Sequence, residues 1–450
     1  MMLRNWNGCL AGCLLAAGAL AQAPAASRDA AHYKEFNLLE REIQEEDARD
    51  RARAERKGVA FKPSERKPEK RLTLDLTRLE RPRAKEEFAL LGHLPPKRQW
   101  WTGNCWCFAA TSLMESEVLR QSGREIKLSE MHTVYWEFVE KAREFVRTKG
   151  ASLFDEGSES EALLLRWKQY GAVPESAYTG LPGGTAVFDQ GPMMEEALGY
   201  LNMVREGGHW DESIVTGHIR TILDRHLGAP PATVKVDGKD LTPREYVRDV
   251  LRINVEDYVE FMSTLEAPFW TKAEFKVPDN YWHSTEYHNV PLEDWYAGLR
   301  QAIEAGYSVA VGGDTSEVGY DASEDVGIVP TFDIPGGYID QAAREFRFAN
   351  KTTGDDHGVH LVGYKRMGDR DWYLAKDSGR GGQRGVPGYY FYRDDYVRLK
   401  MLTFLVHKDG VRGLLARFAE KAAADPAAKS ARNEVSGSTG RRGRGGGART

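Results

Sequence analysis

The chain has 450 residues, 41% of them hydrophobic, and a formal net charge of -5 at neutral pH. That length can bury a large core and hold roughly two to three domain-sized units, and the apolar content is ordinary for a globular protein. The modest negative charge argues against a general nucleic-acid binder.

Residues 1–21 read as an export leader. Arg4 gives a positive start, Cys9 to Leu20 is apolar, and Ala19-Leu20-Ala21 is a cleavage site before Gln22. The stretch is short for a membrane span, which needs about 20 apolar residues, and nothing later reads as one. Leu10-Ala11-Gly12-Cys13 is a rival lipoprotein-type box, with too little apolar sequence before it. The expected location is therefore periplasmic or secreted. Of the 4 cysteines, Cys9 and Cys13 fall in the leader. Cys105 and Cys107 remain, two apart on a predicted helix and pointing apart, a poor disulfide geometry.

Residues 22–85 form a charged extension, with Leu38, Leu39 and Ile43 as a brief helical stripe. It reads as a solvated helix or a disordered arm, or as a segment laid across a cleft. The next stretch organises the chain: Gln99-Trp100-Trp101-Thr102-Gly103-Asn104-Cys105-Trp106. Asn104 is a suitable N-cap. Trp106, Ala110, Met114 and Val118 recur at one-turn spacing, and Gly123 follows the end. Cys105 thus falls in the first turn, where free N–H groups and the helix dipole favour a thiolate.

Further helices are expected over Ser129 to Arg147 and Ser158 to Tyr170, and helical pieces fill Met193 to Trp295, clearest from Arg244 to Val259. Past Tyr307 the pattern changes. Ser308 to Gly312, Val359 to Tyr364, Trp372 to Ala375 and Tyr389 to Tyr392 are β-branched or aromatic runs between Gly-rich turns, and read as an antiparallel sheet. A turn at Met367 to Arg370 makes a hairpin that brings His357 near Asp377. Val411 to Lys421 looks helical, and residues 416–450 are assigned to an Arg/Gly-rich disordered tail.

These motifs resemble the papain-like cysteine peptidases, and among them the branch holding bleomycin hydrolase and aminopeptidase C. The resemblance rests on Gln99, Cys105-Trp106 and the late His357-Gly358-Val359 with Gly363-Tyr364. Leu128-Ser129-Glu130-Met131, Leu241-Thr242-Pro243-Arg244-Glu245-Tyr246, Asn289-Val290-Pro291 and Gly312-Gly313-Asp314-Thr315-Ser316-Glu317 add to it. It spans about Pro95 to about Asp409. It implies an α+β, papain-like two-domain fold: a helical domain with the Cys105 helix, an antiparallel β-rich domain, and a helical insertion at 193–295 within a peptidase unit at 86–415. It implies peptide substrates, no cofactor and no metal. It also implies a homo-oligomer, since members form hexameric rings; the charged arm and long tail are departures that bear on this.

By the resemblance, Cys105 is the nucleophile, His357 its proton partner, Asp377 the residue that orients His357, and Gln99 an oxyanion donor. Cys107 and His360 read as structural. The family pattern Asn-Ser-Trp-Gly is here Asp377-Ser378-Gly379-Arg380, so the His357 contact lacks the tryptophan that shields it from water. Trp100-Trp101 replaces small or polar residues, which bears on substrate access. Family members hold a substrate amine with their own C-terminal carboxylate; Thr450, on a mobile basic tail, is not expected to do so. Two other readings compete. A zinc site on Cys105, Cys107, His357 and His360 fails on cysteine spacing. A catalytically weak papain-like binding protein is the alternative function.

Overall fold

A computed structural model describes residues 28–63, 65–67, 69–184, 186–379 and 384–424. The leader at 1–21 and residues 425–450 of the tail lie outside the described residues. Helix α1 (Glu40–Arg56) connects the antiparallel strands Ala31–Phe36 and Glu69–Leu74. Helix α2 (Cys105–Ser122) is the central helix of the molecule: every residue from Trp106 to Val118 is buried. Gly123 ends it in the left-handed conformation that glycine adopts freely, φ 69°, and its N–H caps Leu119 O. Helix α3 (Glu130–Arg147) starts where Ser129 accepts a hydrogen bond from His132 N at 3.1 Å. These helices, with Glu161–Tyr170, Gly191–Gly207 and Glu212–Leu227, enclose one apolar core.

Among the described residues one large sheet follows. Its central strand Val309–Gly313 lies between His357–Met367 and Met401–His407, both antiparallel to it. Alternation places Ala310 in the core with α2, while Val309 and Val311 face the Leu292–Glu304 helix through a second core. The strand is thus buried on both faces, which is why it reads as a short continuous apolar run. Met367 pairs with Arg370 in the expected hairpin. The mixed helix-and-sheet architecture is papain-like, as expected.

Four expectations change. Asn104 occupies the N-cap position, but its side chain does not cap; Nδ2 donates to Gln190 Oε1 at 2.8 Å. The helical run expected over Arg244 to Val259 stops at a π-type turn, Tyr246–Leu251, ended by left-handed Arg252. Tyr258–Met262 is then a strand, paired with Met401–His407, and Tyr287–Asn289 and Thr271–Ala273 extend the same sheet. The second half of the expected helical insertion therefore contributes three short strands to the sheet: pairing against a buried strand outweighs local propensity. Residues 416–424, expected to be disordered, belong to a helix, Arg412–Ala424. Phe418 packs on His288 at 4.7 Å and Leu414 is buried. The charged extension is likewise docked, through contacts given below.

Candidate active site

Cys105 is the first residue of α2 and is partly exposed, whereas Cys107 is fully buried. Cys107 donates to Glu130 O at 3.4 Å, and burial pushes its thiol far above the ordinary range. His357 begins the strand that runs against α2. A Cβ on Gly358 would lie 3.3 Å from Trp106 Cα, so bare backbone there lets strand and helix start meet. That close approach sets His357 next to Cys105, near enough for the thiol to act on the imidazole. On its other side, His357 Nε2 bonds Asp377 Oδ1 at 2.8 Å. Nε2 is thereby committed to Asp377, which leaves Nδ1 for the thiol.

Burial alone would lower the His357 pKa. The charge and hydrogen bond of Asp377, and then Cys105, outweigh it and hold the imidazole well above its usual value. Burial likewise raises the Asp377 carboxyl, but His357, the Gly379 N–H and the Tyr320 hydroxyl bring it below the usual range. Gly379 N donates to Oδ1 at 2.6 Å and Tyr320 Oη to Oδ2 at 3.2 Å. Asp377 is only 2% exposed, so the missing tryptophan does not leave this contact open to water. Tyr320 takes over part of that cover and stacks on Tyr390, ring centroids 4.5 Å apart. It is absent from the sequence reading because it lies 57 residues from Asp377 with no periodic relation to it.

Gln99 is buried beside this pair. Its Oε1 accepts from Ser378 Oγ at 2.7 Å, its backbone N donates to Ser378 O at 2.9 Å, and its Nε2 donates to Thr102 O at 2.8 Å. Ser378 thus ties the strand end that carries Asp377 to the loop that leads into Cys105. The structure brings Gln99, Cys105, His357 and Asp377 into one connected site. Trp100 adopts φ 56°, a strained value for a bulky residue, and carries the Arg98 guanidinium 3.9 Å from its ring.

Helix α1 reaches this same loop. Arg49 lies 5.0 Å over the Trp101 ring, and Arg53 Nε bonds Asp189, the bridge partner of Trp101, at 3.1 Å. Buried Glu42 pairs with Arg384 at 2.6 Å, a few residues past Asp377. The extension is therefore packed beside the site, neither solvated all round nor disordered. His360 takes no part in the site. Its Nδ1 meets Ser112 Oγ at 2.8 Å, and burial depresses its pKa far below normal. Among the described residues, no His, Cys, Asp or Glu group is arranged to hold a metal ion, and no helix is long and apolar enough to cross a membrane.

No family model and no curated protein matches this sequence. Solved structures do. PepW from Lactobacillus rhamnosis HN001 is similar over 75% of this chain and 86% of its own, at 17% identity and a TM-score of 0.60. A structure from a study of the mite allergens Blo t 1 and Der p 1 aligns over 74% of this chain and 72% of its own, at 15% identity and a TM-score of 0.34. The first likeness is one of fold, and the fold is papain-like.

Proposed function

We propose that the protein is a cysteine peptidase, with Cys105 as nucleophile. The observation that carries this reading is the chain Cys105–His357–Asp377, built at a helix start and backed by a buried carboxylate. The raised imidazole pKa favours the imidazolium form of His357 beside Cys105. Cys105 Sγ attacks the peptide carbonyl carbon, and the carbonyl oxygen takes the negative charge. The second N–H of the Gln99 amide and the backbone N–H at the start of α2 are the donors for that oxyanion. His357 Nδ1 gives its proton to the leaving amine, and a thioester remains on Cys105. Water, deprotonated by the same nitrogen, then releases the acid.

The sequence likeness to the bleomycin hydrolase branch supports peptide substrates. Purified protein incubated with free-N-terminus and N-blocked fluorogenic peptides is expected to release the reporter, and Cys105→Ala to release none. Binding without turnover by the parent chain would instead favour the weakly active binding protein. We also hold that Thr450 is not an amine anchor. Its test is truncation after Ala424, since a cut nearer Asp409 would remove the packed Arg412–Ala424 helix. Truncation there is expected to leave kcat/KM unchanged on both peptide types. A loss confined to free-N-terminus peptides would contradict it.

A further inference from the structure

The His357 strand has two neighbours in the sheet. On one side lies the strand that leads to Asp377, Ser378 and Gln99. On the other lies Val309–Gly313, with Gly312 directly opposite Gly358. Carboxyl groups gather on that second side. A Cβ on Gly312 would lie 3.0 Å from Asp355 Oδ1 and 2.9 Å from Thr403 Oγ1, with Glu159 Oε2 at 3.7 Å. Glu159 and Asp355 lie close enough to act on each other's charge, and Asp355 is among the groups that raise the Glu159 carboxyl.

One oxygen of each of these carboxyls lacks a donor. Glu159 is 6% exposed, and its Oε1 has no hydrogen-bond partner; nor has Asp355 Oδ1. Glu260, also 6% exposed, leaves Oε2 unpartnered and adds like charge to the Glu159 site. Lys141, a buried cation close to Asp279 and Asp155, spends its Nζ on the carbonyls of Asp155, at 2.9 Å, and Gly157. A buried, unpaired carboxyl is costly, and a stable core would replace it. Asp355 and Gly312 are partly exposed, next to His357-Gly358, while Glu159 Oε1 and Asp355 Oδ1 themselves lie just below that surface.

We infer that Glu159 and Asp355 form a subsite for a positively charged group of the substrate, an ammonium or guanidinium, on the flank of Cys105–His357 opposite Gln99. The cation donates to both carboxyls. It supplies the donors that Glu159 Oε1 and Asp355 Oδ1 lack. An organic cation fits better than a metal ion, because no metal-holding group of these side chains exists among the described residues. Two sources share this chemistry: the substrate's N-terminal amine, and a lysine or arginine side chain next to the scissile bond. The inference rests on the peptidase reading for the place of that bond.

The test uses the full chain with a matched peptide panel: free N-terminus, N-blocked with lysine or arginine near the cut, and N-blocked with neutral residues. Cationic peptides are expected to exceed neutral ones by about tenfold or more in kcat/KM, the size of a charge-assisted hydrogen bond. E159Q/D355N is expected to erase that preference and keep turnover of the neutral peptide. The free-amine and side-chain arms tell the two sources apart. Binding of the same panel to Cys105→Ala, with and without E159Q/D355N, reads the subsite without catalysis. Cation preference in binding but no turnover by the parent chain would overturn the peptidase reading and keep the subsite. Equal handling of cationic and neutral peptides, or a preference unchanged in E159Q/D355N, would overturn the subsite. Single variants E159Q and D355N, each checked by its melting curve, replace the double variant if that fails to fold.

Discussion

The two flanks of His357 bury charge in opposite ways. On the Asp377 flank, Lys97, Lys127 and Lys376 interleave with Glu115, Glu130 and Glu175. Lys127 Nζ reaches Glu115 at 2.7 Å and Glu130 at 2.5 Å, Lys97 reaches Glu130 at 2.5 Å, and Lys376 donates to Ser112 Oγ at 2.8 Å. Burial raises both Glu130 and Glu115; Lys127 and Lys97 outweigh it at Glu130 and bring that carboxyl below its usual value, while Glu115 stays raised. On the Gly312 flank, burial and the neighbouring carboxyls drive Glu159 far up, and Asp355 is raised to about 6. Charge matched within the chain holds the fold. Charge left unmatched beside the proposed Cys105–His357 pair is what the inferred subsite draws on.

The comparison stands on a reacting pair between the flanks, so the largest effect is the loss of that pair. Cys105→Ala is expected to abolish peptide hydrolysis and leave the melting temperature nearly unchanged, as read by a fluorogenic assay and a thermal melt. Cys107→Ala keeps most activity, because that thiol is buried and protonated. The opposite pattern would move the nucleophile to Cys107.

The next effect sets the flanks against each other directly. Glu130→Gln leaves Lys97 and Lys127 short of a buried partner, and should destabilise by about 3 kcal/mol in urea melts. Glu159→Gln imitates the proton that Glu159 already holds, and should leave stability unchanged or raise it. The sign follows from linkage. The folded state keeps Glu159 protonated where the unfolded chain releases the proton. Stability is therefore present below the ordinary carboxylate pKa and lost as pH rises toward the raised value. Glu159→Gln removes that slope. Equal destabilisation by both variants would erase the distinction between the flanks.

Asp377→Asn tests the pair itself. The carboxylate raises the His357 pKa, so its loss lowers it, and the basic limb of the pH–rate profile moves down. An unmoved limb would separate Asp377 from His357 in function. Tyr320→Phe is the smallest change. It removes one of the donors to Asp377 and keeps the ring stack on Tyr390, so kcat should fall about fivefold or less. A loss as large as that of Asp377→Asn would mean that Tyr320 holds the triad together.

Much of the reacting line was legible in the sequence because it is local. The α2 start, Gly123 and the His357 hairpin each follow from spacing and turn residues within a short window. The resemblance then assigned Gln99, Cys105, His357 and Asp377 their places, and the structure gathers them. What the sequence hid is non-local. Tyr320 reaches Asp377 from a separate loop, and Asn104 turns to Gln190 instead of its own helix. Tyr258–Met262 carries no strand signal strong enough to outweigh the helical run before it. It becomes a strand because Met401–His407 offers it an edge. The unmatched carboxyls were equally out of reach, since Glu159, Glu260 and Asp355 stand far apart in the chain.

The central claim is that Cys105 is a nucleophile activated by His357. The most direct measurement is mass-spectrometric mapping of limited alkylation by iodoacetamide across pH. The account predicts modification at Cys105 alone, suppressed at acid pH and weakened by His357→Ala, with Cys107 untouched in the folded protein. Modification at Cys107 first, or a Cys105 rate indifferent to His357→Ala, would contradict it.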